Sequence, residues 1–201
     1  MSAVVPDPAA TPPQTARVVN IANALTLLRL LLVPVFAWAL VQEGGTDTGW
    51  RVVAFVIFAV ASITDRLDGD LARRRGLVTE LGKLADPIAD KALIGTALVG
   101  LSVLGLLWWW VTVLILVREV GVTLLRFWVI RHGVIPASRG GKVKTLLQSV
   151  AIGLYLLPLQ DALATVAAVT MGAALVVTLV TGADYVARAV ALRRSGAGTD
   201  R

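Results

Sequence analysis

The 201-residue chain is 57% hydrophobic and only 16% charged, more apolar surface than one small soluble core can hide, which excludes a water-soluble domain and identifies an integral membrane protein. The absence of cysteine excludes disulfides and thiol chemistry. The formal charge of +6 is grouped along the chain rather than scattered, and the grouping points to membrane topology and an anion site, with no nucleic-acid partner.

Residues 1–16 are rich in Pro and Ala and lack both a positively charged start and a long apolar stretch, so they read as a flexible tail and not as a signal peptide. Residues 17–194 then form one all-α catalytic domain with six transmembrane helices, and 195–201 a second flexible tail. A short interfacial helix near Arg17 to Asn23 leads into helix 1, about Leu25 to Val41. Glu43 to Gly49, with three glycines, is a turn, and helix 2 runs from about Trp50 to Arg75. Helix 3 covers about Leu81 to Leu106, helix 4 about Trp109 to Arg131, helix 5 about Val143 to Leu157 and helix 6 about Ala162 to Ala191. The uncharged runs from Val52 to Thr64, Ala92 to Val117 and Ala162 to Ala183, with Leu30 to Gln42, approach or exceed the roughly 20 residues of a membrane span.

Trp108, Trp109 and Trp110 divide an apolar stretch too long for one span, and an aromatic cluster suits the membrane–water interface, so the turn between helices 3 and 4 belongs there. Six crossings bring both termini to one face together with the loops after helices 2 and 4. Of the 19 Lys and Arg residues all but Arg51 lie on or lean toward that face, which the positive-inside tendency makes cytoplasmic. The expected location is the plasma (inner) membrane, multi-pass.

Charges beside the hydrocarbon core need a reason. Asp65 and Asp68 are three apart and Asp86 and Asp90 four apart, so each pair projects from one face of its helix. From Trp50 to Asp65 is 15 residues, or about 22 Å of helix, less than the roughly 30 Å hydrocarbon core, which sets Asp65 just below the cytoplasmic headgroups. Oxygen-only ligands favour Mg²⁺ or Mn²⁺ over zinc, and two such ions suit a diphosphate. Gly69 and Gly82 remove side chains beside the acids and leave room for a ligand. Asn23, Thr26 and Arg29 recur at three-residue spacing and point broadly to one face of helix 1, either toward a nucleotide or, for Asn23 and Thr26, into helix packing.

Asp65, Asp68, Gly69, Ala72, Arg73, Gly82, Asp86 and Asp90 match every fixed position of D-x2-D-G-x2-A-R-x8-G-x3-D-x3-D, and on them the chain resembles the CDP-alcohol phosphatidyltransferase family. The resemblance implies that family's six-helix membrane fold, usually a homodimer, which moves a phosphatidyl group from a CDP-linked lipid to an alcohol and releases CMP. It implies two metal ions on Asp65, Asp68 and Asp86, with Asp90 completing the site and acting as the base. Gly69, Ala72 and Arg73 would face the cytidine diphosphate, with Gly82, Asn23 and Thr26 lining the same donor site. Asp70, outside the signature, reads as a solvated or Arg-paired residue.

The family's acceptors include glycerol 3-phosphate, inositol or its phosphate, serine and phosphatidylglycerol. The segment Asn20 to Pro34, Arg118-Glu119, Arg126, Gly141 to Thr145 and Asp184-Tyr185 resemble the subgroup that uses CDP-diacylglycerol and glycerol 3-phosphate, although Ala22 stands where that subgroup often has proline. Arg118, Arg126, Arg139, Lys142 and Lys144 form a basic set suited to an acceptor phosphate, and an internal Glu119–Arg126 pair, seven residues apart, is the competing use of part of it. The rival readings are another acceptor in the same family, an intramembrane prenyltransferase, and a non-enzymatic cation carrier or scaffold. The prenyltransferase reading lacks a place for the G-x2-A-R element, and the carrier reading leaves the basic set unexplained.

Overall fold

The computed structural model describes residues 21–75, 80–129 and 139–196, and within them the side chains of residues 24–65, 85, 87–125, 128 and 140–192. Six α-helices run in order: α1 (Ile21–Val41), α2 (Thr48–Arg75), α3 (Glu80–Val103), α4 (Trp109–Val129), α5 (Arg139–Leu156) and α6 (Asp161–Gly196), with no strand among the described residues. The helix count and order are those expected. Residues 21–23, assigned in sequence to an interfacial helix, are the first turn of α1, while 17–20 and both terminal tails up to 16 and from 197 lie outside the described residues. At the other end α6 continues through Gly196, two residues into the expected C-terminal tail.

Elementary backbone chemistry sets the helix ends. After α1 a short 3-10 turn, Gln42–Gly45, reverses the chain through Glu43, Gly44 and Gly45 at positive φ, and a Cβ on Gly45 would run into the Leu104 side chain. Asp47 then accepts a hydrogen bond from the Trp50 amide at 2.8 Å, an N-cap that starts α2. α3 stops at Val103, three residues before the expected Leu106, because Gly105 takes φ 70° and closes a Schellman motif: the Leu106 amide donates to Leu101 O at 2.9 Å and the Gly105 amide to Ser102 O at 3.1 Å. The three tryptophans follow, exposed, at the start of α4.

α1 packs on α2 and α3, α6 packs on α4 and α5, and contacts of α5 with α2 and α3, and of α3 with α4, join the two halves. The core between them holds Phe36, Phe58, Leu93, Leu98, Ile115 and Ile152. Gly100 lets α3 approach Leu40 of α1, since a Cβ there would sit 2.5 Å from a Leu40 methyl. Around this core Leu27, Leu31, Val56, Val113, Leu124 and Val176 are all exposed, an apolar girdle far larger than a soluble monomer displays. Three stretches, Ala24–Gly45, Thr48–Asp65 and Asp161–Leu192, are long and apolar enough to cross a membrane. In the other three helices charged residues interrupt the apolar pattern: Asp90 and Lys91 in α3, Arg118 and Glu119 in α4, Lys142 and Lys144 in α5.

Candidate active site

Two antiparallel helices joined by the short turn bring Arg29 of α1 against Asp65 of α2, with Arg29 Nη1 2.6 Å from Asp65 Oδ1. Arg29 is 1% exposed and Asp65 31%, so the cation is sealed inside while the carboxylate opens outward. The pair gives the buried guanidinium a counter-charge and fixes the Asp65 carboxylate in place. Thr26, one turn before Arg29, is buried on the same side of α1.

Asp90 of α3 stands within electrostatic range of Asp65, and of Lys91, Lys144 and Glu119. Asp90, Lys91, Glu119, Lys144, Thr145 and Gln148 line one cavity of about 100 Å³ between α3, α4 and α5. Beside it an apolar groove of about 480 Å³ runs between α1 and α3 along Ala37, Leu40, Ala92, Val99 and Gly100, and Lys91 and Gly95 border both spaces.

Glu119 is the hub of the charged cluster. Its carboxylate receives the Lys144 ammonium of α5, the Arg118 Nη1 at 3.0 Å and, more loosely, Lys91 Nζ of α3 at 3.8 Å. Arg118 also donates from Nη2 to Thr181 Oγ1 of α6 at 2.9 Å, and Gly182 makes room for it, since a Cβ there would lie 2.9 Å from Arg118 Cγ. Four helices are thus tied to one carboxylate. Lys91 and Lys144 line the cavity with Glu119 and Asp90, while Arg118 reaches Glu119 from α4, so the cavity offers two ammonium donors able to turn from a carboxylate to a phosphate-bearing ligand.

Of the residues singled out in sequence, the structure brings Asp65 and Asp90 within range of each other and joins Lys144 and Arg118 through Glu119. Lys142 is exposed on α5. Asp68, Gly69, Ala72 and Arg73 continue α2 beyond Asp65, Gly82 and Asp86 precede Asp90 on α3, Asn23 is in the first turn of α1, Arg126 is on α4 and Arg139 begins α5, but their side chains lie outside the described residues, as does any Glu119–Arg126 pair. Among the described residues no three metal-ligating side chains form a group. The donor chemistry of the two described acids nevertheless fits a hard divalent cation, because like-charged carboxylates held in range of each other beside an apolar core are stabilised by a shared cation.

Four participants have roles that the sequence reading does not give them. Arg29 shares its helix face with Asn23 and Thr26 in the sequence, and the signal for its pairing is that a cation inside a leucine run needs an anion. Glu119, in sequence a candidate partner for Arg126, serves Arg118, Lys144 and Lys91. Thr181 and Gln148 carry no motif signal at all.

Comparison with known proteins bears on this site directly. A family model described as CDP-alcohol phosphatidyltransferase matches residues 19–180. A protein of Mycobacterium tuberculosis (strain CDC 1551 / Oshkosh) named probable phosphatidylglycerophosphate synthase is 63% identical over 87% of this chain and 84% of its own length. The CDP-diacylglycerol–glycerol-3-phosphate 3-phosphatidyltransferase of Bacillus subtilis (strain 168) is 34% identical over 83% of this chain and 93% of its own. A cardiolipin synthase (CMP-forming) of Streptomyces coelicolor is 37% identical over 72% of this chain and 68% of its own. With four-fifths of its length inside the matched region and a charged site between its helices, the chain belongs to the CDP-alcohol phosphatidyltransferase family.

Proposed function

We propose that this protein transfers the phosphatidyl group of CDP-diacylglycerol to glycerol 3-phosphate, giving phosphatidylglycerophosphate and CMP. The observation that carries the acceptor choice is that Lys91, Arg118 and Lys144 gather at Glu119 beside Asp90, cationic donors that a phosphorylated alcohol can engage and a neutral one cannot. The names of the Mycobacterium and Bacillus relatives support the same acceptor. The apolar groove between α1 and α3 suits a donor that carries acyl chains.

In this reading the acceptor hydroxyl attacks the lipid-side phosphorus of the donor, the bond from that phosphorus to the bridging oxygen breaks, and CMP leaves with the bond electrons. Asp90 takes the hydroxyl proton. Arg29 holds Asp65 at the donor diphosphate, Arg73, with Asn23, Thr26, Gly69, Ala72 and Gly82 around it, receives the cytidine diphosphate, and Lys144 and Arg118, with Arg126, Arg139 and Lys142, orient the acceptor phosphate. Asp65, Asp68, Asp86 and Asp90 would hold two Mg²⁺ or Mn²⁺ ions, whose chemistry is to neutralise charge on the diphosphate. All six helices cross the plasma membrane, the active site and both termini face the cytoplasm, and the protein works as a homodimer among membrane lipids.

The second reading replaces glycerol 3-phosphate with phosphatidylglycerol, as the name of the Streptomyces relative suggests. Purified protein given CDP-diacylglycerol, Mg²⁺ and, in separate reactions, glycerol 3-phosphate, inositol phosphate or phosphatidylglycerol separates the readings by CMP release. Release with glycerol 3-phosphate alone, lost on adding a chelator, is the expected result. Release only with phosphatidylglycerol or inositol phosphate overturns the acceptor.

A further inference from the structure

Gln148 lies one helical turn beyond Lys144 on α5, so the two side chains share a face, and both line the cavity that holds Asp90. Gln148 is 2% exposed, and its amide nitrogen has no hydrogen-bond partner among the described residues. Its neighbours along the helix are served: Thr145 donates to Gly141 O at 3.1 Å and Ser149 to Thr145 O at 2.9 Å. A buried primary amide with an unmade hydrogen bond lowers stability, and one retained beside a reaction centre is explained by a ligand atom that completes it.

The chemistry of that atom follows from the surroundings. The ammonium of Lys144 and the guanidinium of Arg118 already supply charge for an anion, whereas a neutral amide adds none. A hydroxyl suits an amide best, because it can accept from the nitrogen or donate to the oxygen whichever way the group is turned. We infer that Gln148 hydrogen-bonds the second, non-reacting hydroxyl of the acceptor alcohol and so selects a vicinal diol phosphate over a simple hydroxyalkyl phosphate. This rests on the acceptor proposed above and deepens it: the cations read the phosphate, and Gln148 reads the polyol.

The test compares glycerol 3-phosphate with 3-hydroxypropyl phosphate, which lacks only the middle hydroxyl, in steady-state assays of the full-length protein in detergent with CDP-diacylglycerol and Mg²⁺. The wild type favours glycerol 3-phosphate by about tenfold in kcat/KM, the size of one hydrogen bond in a closed site. Gln148→Met, similar in volume, brings that ratio close to one by slowing the reaction of glycerol 3-phosphate alone, and leaves the KM for CDP-diacylglycerol unchanged. Because the substitution removes an unpaired buried donor, the ligand-free variant melts no lower than the wild type. An unchanged acceptor ratio in Gln148→Met overturns the inference, as does a wild type that uses both acceptors equally, a result that needs no variant to fold. A wild type inactive with glycerol 3-phosphate but active with another alcohol would instead remove the acceptor reading on which this one stands.

Discussion

Asp65 and Asp90 carry the same side chain within range of each other and do different work. Asp65 balances the sealed guanidinium of Arg29, whereas Asp90 has a like charge in Asp65 and shares its cavity with Glu119 and Lys144. Asp65→Asn removes the ion pair that Asp65 makes with the buried Arg29, and unfolding in detergent should register a loss of about 2 kcal/mol together with the loss of activity. Asp90→Asn should keep its melting temperature and its stabilisation by CDP with Mg²⁺, yet lose at least 100-fold in turnover, as expected when a general base is removed. An Asp90→Asn protein with near-normal turnover would end the assignment of the base. Both acids were legible in the sequence, because helical spacing beside apolar runs advertises them. The partner of Asp65 was not, because the pairing depends on which faces of α1 and α2 meet, a tertiary fact that no local period encodes.

Helix ends explain what composition left odd. Arg51 stands apart from the 18 other basic residues in the expected topology, and the structure shows its task. Its guanidinium donates to the carbonyls of Tyr155 at 2.7 Å, Leu157 at 3.0 Å and Leu156 at 3.1 Å, closing the C-terminal end of α5 from the start of α2. A cation on orphan helix carbonyls is favoured by both hydrogen bonding and the helix dipole. Arg51→Met should cost about 2 kcal/mol in thermal unfolding and leave both substrate KM values unchanged, since the site lies at the other end of the bundle. Gly182 makes the opposite prediction. Valine there crowds the Arg118 stem, so Gly182→Val should raise the KM for glycerol 3-phosphate several-fold without altering that for CDP-diacylglycerol. Equal changes in the two constants would indicate general distortion of the α4–α6 contact instead. Gly105 was a readable stop signal between Leu104 and Leu106, and the expected extension of α3 to Leu106 undervalued it.

Across the whole molecule, the apolar girdle and the charged site compete for the same helices. α1, the first part of α2 and most of α6 satisfy the length and hydropathy of a span, while α3, α4 and α5 carry charges that the site uses. Lys91, Arg118 and Lys144 are tolerable there because they meet Glu119, with Asp90 sharing the cavity. A site placed toward one membrane face fits the proposed six crossings, which make a parity prediction. Four helices separate Thr46 from Gln160, so these two residues share a side, and five separate Thr46 from Thr199, so those two do not. The chain has no cysteine, which makes single substitutions clean reporters. In intact cells a membrane-impermeant maleimide should label Thr46→Cys and Gln160→Cys, and should reach Thr199→Cys only after permeabilisation. Labelling of Thr199→Cys alone would invert the orientation and move the donor site to the outer face. Opposite behaviour of Thr46→Cys and Gln160→Cys would break the six-crossing topology itself, because an odd number of the four intervening helices would then cross.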